Sequence, residues 1–189
     1  KVLAAELSRR GYVPEPIAIG TNTDPYQPIE RTHGITRAVL EVLARFRHPV
    51  GIVTKSNLIL RDRDLLAEMA AQNLVKVAIS VTTLDPDLAR RMEPRAPHPR
   101  KRLEAIRALS EAGVPVMAIA APIIPSLNDH EIEAILEAAR TAGAREANYV
   151  LLRLPHELDE LVGDWFSEHY PGRKAHVFSL LSGARGGKT

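Results

Sequence analysis

The 189 residues include no cysteine. Disulfides are thereby excluded, and so is any metal or cluster held by thiolates from these residues. The same absence makes the cytoplasm the default compartment. Aromatic residues are scarce, at 4%, which leaves few stacking surfaces for unpaired bases. No apolar run approaches the roughly 20 residues that span a bilayer, so no membrane partner is expected. The N-terminus lacks the basic-then-apolar pattern of a secretory leader. None of the seven histidines stands in an H-x-x-x-H pair, and neither G-x-S-x-G nor a P-loop occurs. A metal site, serine hydrolase chemistry and nucleoside triphosphate hydrolysis therefore have no local support.

What is present describes one soluble globular domain. Hydrophobic residues make up 45% and charged residues 25%, both ordinary for such a domain. The formal charge of +2 is close to neutral, but the local distribution is uneven. Between Arg90 and Arg107 seven Lys or Arg face two Glu. That segment has the charge to meet phosphates, but without interleaved aromatics it reads equally as a solvated basic face. The chain starts at Lys1, without Met, inside an amphipathic helical pattern, so it reads as a piece of something longer.

Five short apolar runs recur at even spacing: Ile17–Gly20, Val50–Thr54, Val75–Val81, Val114–Ala121 and Asn148–Leu152. Their length and composition suit strands buried on both faces. Between them lie stripes at helical spacing, including Val39, Val42 and Leu43, then Leu65, Leu66 and Met69, then Leu103, Ile106 and Leu109, then Ile132, Ile135 and Ala139. Thr36, Asp85-Pro86 and Asn128-Asp129 are the expected helix entries. Gly11, Gly113 and Gly143 are the expected left-handed exits, and Asn73 serves the same purpose. Helix, exit, short loop and strand repeat, which implies parallel strands joined by right-handed crossovers. A doubly wound sheet and a (βα) barrel share this pattern. The barrel is favoured, because no Gly-rich dinucleotide fingerprint follows the first run and polar residues follow every run. One domain is expected over residues 1–181, with a flexible tail over 182–189.

Ligands of parallel α/β folds bind at the carboxyl ends of the strands. The first run leads into Gly20-Thr21-Asn22-Thr23-Asp24-Pro25-Tyr26-Gln27-Pro28-Ile29-Glu30, a loop with many hydrogen-bonding groups on a stiff backbone. Thr23, Asp24 and Tyr26 are its candidates. Lys55, just past the second run, suits a carboxylate or phosphate, or a Schiff base if desolvated. Ser80 and Thr82 end the third run, Pro122 follows the fourth, and Arg153 follows the fifth as an anion binder or a rim ion pair. No catalytic residue is assigned.

With these residues in view, the chain resembles the radical S-adenosylmethionine superfamily, in its DNA-repair-photolyase-like branch related to spore photoproduct lyase. The resemblance rests on the loop Thr23–Glu30, on Thr54-Lys55-Ser56, on Ser80-Val81-Thr82-Thr83-Leu84-Asp85, on Met92-Glu93-Pro94-Arg95-Ala96-Pro97, and on Pro122-Ile123-Ile124-Pro125 with Asn128-Asp129. It implies an α/β fold, a partial (βα) TIM-like barrel of parallel strands. It also implies a [4Fe–4S] cluster on a C-x-x-x-C-x-x-C loop, which reductively cleaves S-adenosylmethionine to a 5′-deoxyadenosyl radical. These residues contain no such loop. On this resemblance the first strand and cluster loop precede Lys1, the cluster belongs to the full-length parent only, and the fragment alone is inactive.

The resemblance further implies that Thr23, Asp24 and Tyr26 lie at the methionine amino group and that Lys55 meets the methionine carboxylate. Ser80, with Thr82 after it, falls at the ribose contact, and the Ile119–Pro125 stretch with Pro122 flanks adenine. Implied partners are a reductant such as flavodoxin or ferredoxin and, as substrate, DNA or another nucleic acid in a lyase-like reaction. Two readings of the residues stay open beside it. One is a Schiff-base or aldol-type barrel using Lys55. The other is a non-enzymatic nucleic-acid-binding scaffold.

Overall fold

The computed structural model describes residues 1–184, the side chains of residues 156 and 157 excepted. Five strands form one sheet: β1 (Ile17–Ile19), β2 (Val50–Thr54), β3 (Val75–Ser80), β4 (Val116–Ile123) and β5 (Glu146–Leu151). They lie in chain order and every neighbouring pair is parallel. Helix α1 (Val2–Leu7) leads in. The short α2 (Glu30–His33) and α3 (Ile35–Arg45) connect β1 to β2, and α4 (Arg63–Ala71) connects β2 to β3. Next, α5 (Pro86–Met92) and α6 (Pro99–Glu111) connect β3 to β4, α7 (Ile132–Thr141) connects β4 to β5, and α8 (His156–His169) and α9 (Lys174–Ala184) follow.

The strand order decides between the two architectures. A doubly wound sheet reverses its order at a switch point, and helices then fall on both faces. Here the order never reverses, so right-handed crossovers all land on one face. The contacts agree. Leu40 and Leu43 of α3, Leu66 and Met69 of α4, Ile106 and Leu109 of α6, and Ile135 of α7 share one core with Ile52, Val77, Ile79, Val116 and Ala118 of the strands. The opposite face carries Val53, Met117 and Ile119, only partly buried, and the ion pair of Lys76 with Glu146. This is a partial TIM-like barrel with helices outside and a concave inner face.

A second apolar cluster joins Leu88 of α5, Ile124 and Leu127 from the loop after β4, Phe166 of α8, and Val177 and Leu181 of α9. It fixes the last two helices against the loops at the strand ends.

The expected helix exits are present, with positive φ at Gly11, Asn73, Gly113 and Gly143. Of the expected entries, Asp85 caps α5 by accepting from the amides of Asp87 and Leu88. Thr36 does not cap. The carboxylate of Glu30, six residues earlier, accepts from the amides of Ile35 and Thr36 instead. Asn128 is no cap either; its amide is used elsewhere. Strand β4 begins two residues later than its apolar run because Pro115 follows Val114. Strand β5 begins two residues earlier, at Glu146 and Ala147. Its residues are almost all exposed, so burial imposed no apolar signal there. Of the tail expected from Ser182, residues 182–184 complete α9, and residues 185–189 lie outside the described residues.

Candidate functional site

The loop after β1 begins with a forced turn. Gly20 has φ +95, and a Cβ there would lie 1.9 Å from the Val53 carbonyl oxygen. Only glycine lets the chain leave β1 this close to β2. Asp24 then fastens the loop across the end of β2. Its Oδ1 accepts from the Tyr26 amide at 2.8 Å and the Thr54 hydroxyl at 2.7 Å, and its Oδ2 accepts from the Lys55 amide at 2.8 Å. A carboxylate has about four acceptor positions, so one remains.

Tyr26 turns inward. It is buried in the main core, and its hydroxyl donates to the fully buried Asp62 at 3.1 Å. Burial, with the Asp62 charge beside it, pushes the phenol far above its ordinary value, so Tyr26 stays a neutral donor. Asp62 also receives Arg61 and Arg37, and Arg61 bridges to Glu30. This buried charge network holds the base of the loop.

At the ends of β2 and β3, Glu93 is the hub. Its Oε1 lies 3.0 Å from Lys55 Nζ and 2.9 Å from Thr82 Oγ1. Its Oε2 pairs with the buried guanidinium of Arg102, whose other nitrogens donate to the carbonyls of Pro97 and Ser80. Burial alone would push the Glu93 carboxyl up, but the charges of Arg102 and Lys55 outweigh it and hold the group below the usual glutamate value. Ser80 donates to the Ala121 carbonyl at 3.0 Å, and Thr82 Oγ1 also lies 2.8 Å from that oxygen. Asn128 clips the loop after β4: its Oδ1 accepts from Ile124, and its Nδ2 donates to the carbonyls of Thr82 and Pro122.

These contacts frame two cavities. The first, of about 500 Å3, opens at the carboxyl ends of the strands and is lined by Asp24, Lys55, Ser80, Ile119, Pro122 and Arg153, among others. The second, of about 760 Å3, shares Asp24 and Lys55 and extends over Tyr26, Arg31, Asn57 and Arg95. Of the residues expected at the site, Asp24, Lys55, Ser80 and Pro122 meet at the first cavity. Thr23 lines neither, and its neighbours Thr21 and Asn22 face the first instead. Tyr26 lies only behind the second, with its hydroxyl committed to Asp62. Thr82 is buried at 1% exposure and supports Glu93 and Ala121 without lining either cavity.

The pairing of Glu93 with Arg102 went unread in the sequence. Both sit in the basic segment, where two glutamates among seven cations give no sign of which pairs with which. The signal available was the helical register, which sets Arg102 on the side of α6 that carries the buried Ala105, Ile106 and Leu109. Among the described residues no group of three or more His, Asp or Glu side chains converges as a metal ion requires.

Comparison with known proteins resolves the family. The sequence pattern of the Radical SAM superfamily matches residues 4–139. The chain belongs to the radical SAM superfamily. An uncharacterized protein of Mycobacterium tuberculosis is 39% identical over 145 residues, covering 76% of this chain and 43% of that protein. One from Methanocaldococcus jannaschii is 32% identical over 126 residues, covering 67% and 47%. This radical SAM chain therefore spans less than half the length of the curated relatives it matches. Among solved structures, a variant of spore photoproduct lyase with bound AdoMet and dinucleoside spore photoproduct superposes with a TM-score of 0.63 at 15% identity, over 90% of this chain and 49% of that one. Streptococcus suis SuiB bound to S-adenosylmethionine gives a TM-score of 0.51 at 14% identity, over 82% and 37%. At such identities the likeness is one of fold, and it matches the partial barrel read from the strand order.

Proposed function

We propose that this chain binds S-adenosylmethionine in the first cavity and forms the cofactor-holding part of a lyase-like radical SAM enzyme. One observation carries the reading: Asp24, Lys55, Ser80 and Pro122, from the ends of four successive strands, line a single cavity of about 500 Å3. That volume falls within the common range for ligand sites, about 300–1,000 Å3.

The residues fit the group. S-adenosylmethionine carries an amino acid end with an ammonium and a carboxylate, a ribose, and an adenine. The remaining acceptor position of Asp24 suits the ammonium, and Lys55 Nζ suits the carboxylate. Ser80 donates to Ala121, so its oxygen is left to accept from a ribose hydroxyl. Pro122 and Ile119 offer an apolar wall for the adenine. When bound, S-adenosylmethionine supplies radical chemistry through one-electron reductive cleavage. The chain's own part is positioning. Glu93 and Arg102 keep Lys55 over the cavity, and the Asn128 clip holds Pro122 in its wall.

A [4Fe–4S] cluster does not fit the residues present, since none of the 189 is cysteine. Its ligands would have to come from sequence outside this chain, and a flavodoxin or ferredoxin is the kind of reductant such a cluster would take. A nucleic-acid substrate is supported by the dinucleoside in the lyase relative's site and by the basic segment around Arg95.

The Schiff-base alternative is less favoured. Lys55 holds an ion pair with Glu93, whereas imine formation needs a neutral amine facing a carbonyl.

The test uses protein extended to include the cluster ligands, purified without oxygen and reduced. Release of 5′-deoxyadenosine from S-adenosylmethionine is expected, and it should fall sharply in Lys55→Ala. Bound S-adenosylmethionine with no nucleoside released would contradict the enzymatic reading.

A further inference from the structure

The second cavity is separate chemistry from the first. Its lining brings Arg31 from α2, Arg95 from the loop between α5 and α6, and Lys55 from the end of β2 around one space of about 760 Å3. The single carboxylate there, Asp24, already accepts from three donors of the protein. Lys55 is engaged by Glu93. Arg31 and Arg95 are different, because neither guanidinium has a partner among the described residues.

Arg37, Arg61, Arg90, Arg100, Lys101 and Arg102 all hold carboxylates. Two unpaired guanidiniums lining one cavity, whose single carboxylate already accepts from three donors, leave a local excess of positive charge there. Neutral donors stand beside them. The amides of Gln27 and Asn57 line the cavity with no side-chain partner, and Ser56 uses its oxygen to accept from Leu58, which leaves its proton to donate.

Two planar forks and several neutral donors suit a group with three or more oxygens and more than one charge. A lone carboxylate would occupy only one fork. We infer that the second cavity is a phosphate-binding site, and that the phosphate belongs to a ligand entering beside the S-adenosylmethionine cavity. The shared residues Asp24 and Lys55 make the two cavities neighbours. The ligand's role as substrate rests on the proposed function above; the phosphate site does not.

The test is calorimetric titration of the protein with thymidine, thymidine 5′-monophosphate and the dinucleotide thymidylyl-thymidine, with S-adenosylmethionine titrated separately. The phosphate-bearing probes should bind and thymidine should not. Arg31→Ala and Arg95→Ala should each weaken them by about 10-fold or more, while Arg90→Ala, whose partner is Asp87 outside the cavity, should not. A tighter monophosphate would identify a terminal phosphate as the natural group, and a tighter dinucleotide a phosphodiester. Equal binding of thymidine and the phosphates, or affinities indifferent to both substitutions, would overturn the site. Loss of S-adenosylmethionine binding alone would remove the cofactor reading and leave the phosphate site standing.

Discussion

Lys55 Nζ and Glu93 Oε1 lie 3.0 Å apart, although one residue follows β2 and the other follows α5. The pair ties two loops over the strand ends, and its weight is unequal. The Lys55 side chain is 37% exposed, whereas Arg102, the second partner of Glu93, is 1% exposed. The contact with Arg102 supports the fold, and the contact with Lys55 aims a cation at the cavity.

Glu93→Gln should therefore destabilise the protein by about 3 kcal/mol, the cost of leaving a buried guanidinium without its countercharge. Lys55→Ala should cost under about 1 kcal/mol, as expected for a partly exposed pair. Urea unfolding of both variants measures this. Equal losses would show that the Arg102 contact carries no special weight.

The same carboxylate sets an acid limit. Its folded pKa is depressed, so its stabilisation is fully present above the ordinary glutamate value of 4.5 and is lost as pH falls through the lower folded value. Stability measured from pH 6 downward should fall less steeply in Glu93→Gln than in the wild type. Parallel curves would assign the acid limit to other groups.

Asp24→Asn keeps the shape of the loop fastening but removes its charge. The Thr54 hydroxyl and the Tyr26 and Lys55 amides would lose a charged acceptor, and an Asn amide nitrogen would face at least one donor. A loss of about 2 kcal/mol is expected, together with weaker S-adenosylmethionine binding. Chemical denaturation and calorimetry check both, and an unchanged variant would separate Asp24 from loop and ligand alike.

Much of this architecture was legible because burial writes a pattern. Strands β1 to β3 were located to within a residue at each end, since most buried positions of β2 and β3 are apolar and Ile17 and Ile19 of β1, though only partly buried, pack against the same core. Left-handed exits at Gly11, Asn73, Gly113 and Gly143 were legible because few residues tolerate positive φ. Strand β5 was misplaced by two residues at its start, since an exposed edge imposes no composition. Residues lining the first cavity were legible where a polar side chain ends or directly follows an apolar strand, as with Lys55 and Ser80. Placement was not legible where it depends on which way a residue turns. Tyr26 looked like a ligand contact and faces Asp62 in the core, while Thr23 sits beside the cavity residues without joining them. Long-range pairing was hidden too. Neither Glu93 and Lys55, 38 positions apart, nor Asn128 and Thr82, 46 apart, leave a trace in local sequence.

The central claim is that the first cavity holds S-adenosylmethionine through Lys55, and calorimetric titration of the cofactor into wild type and Lys55→Ala tests it most directly. The account predicts saturable binding to the wild type and a loss of about 1.5–3 kcal/mol in the variant, the range for a hydrogen bond to a charged group, with Arg107→Ala as an unaffected control. Equal affinity of wild type and Lys55→Ala for S-adenosylmethionine would contradict it.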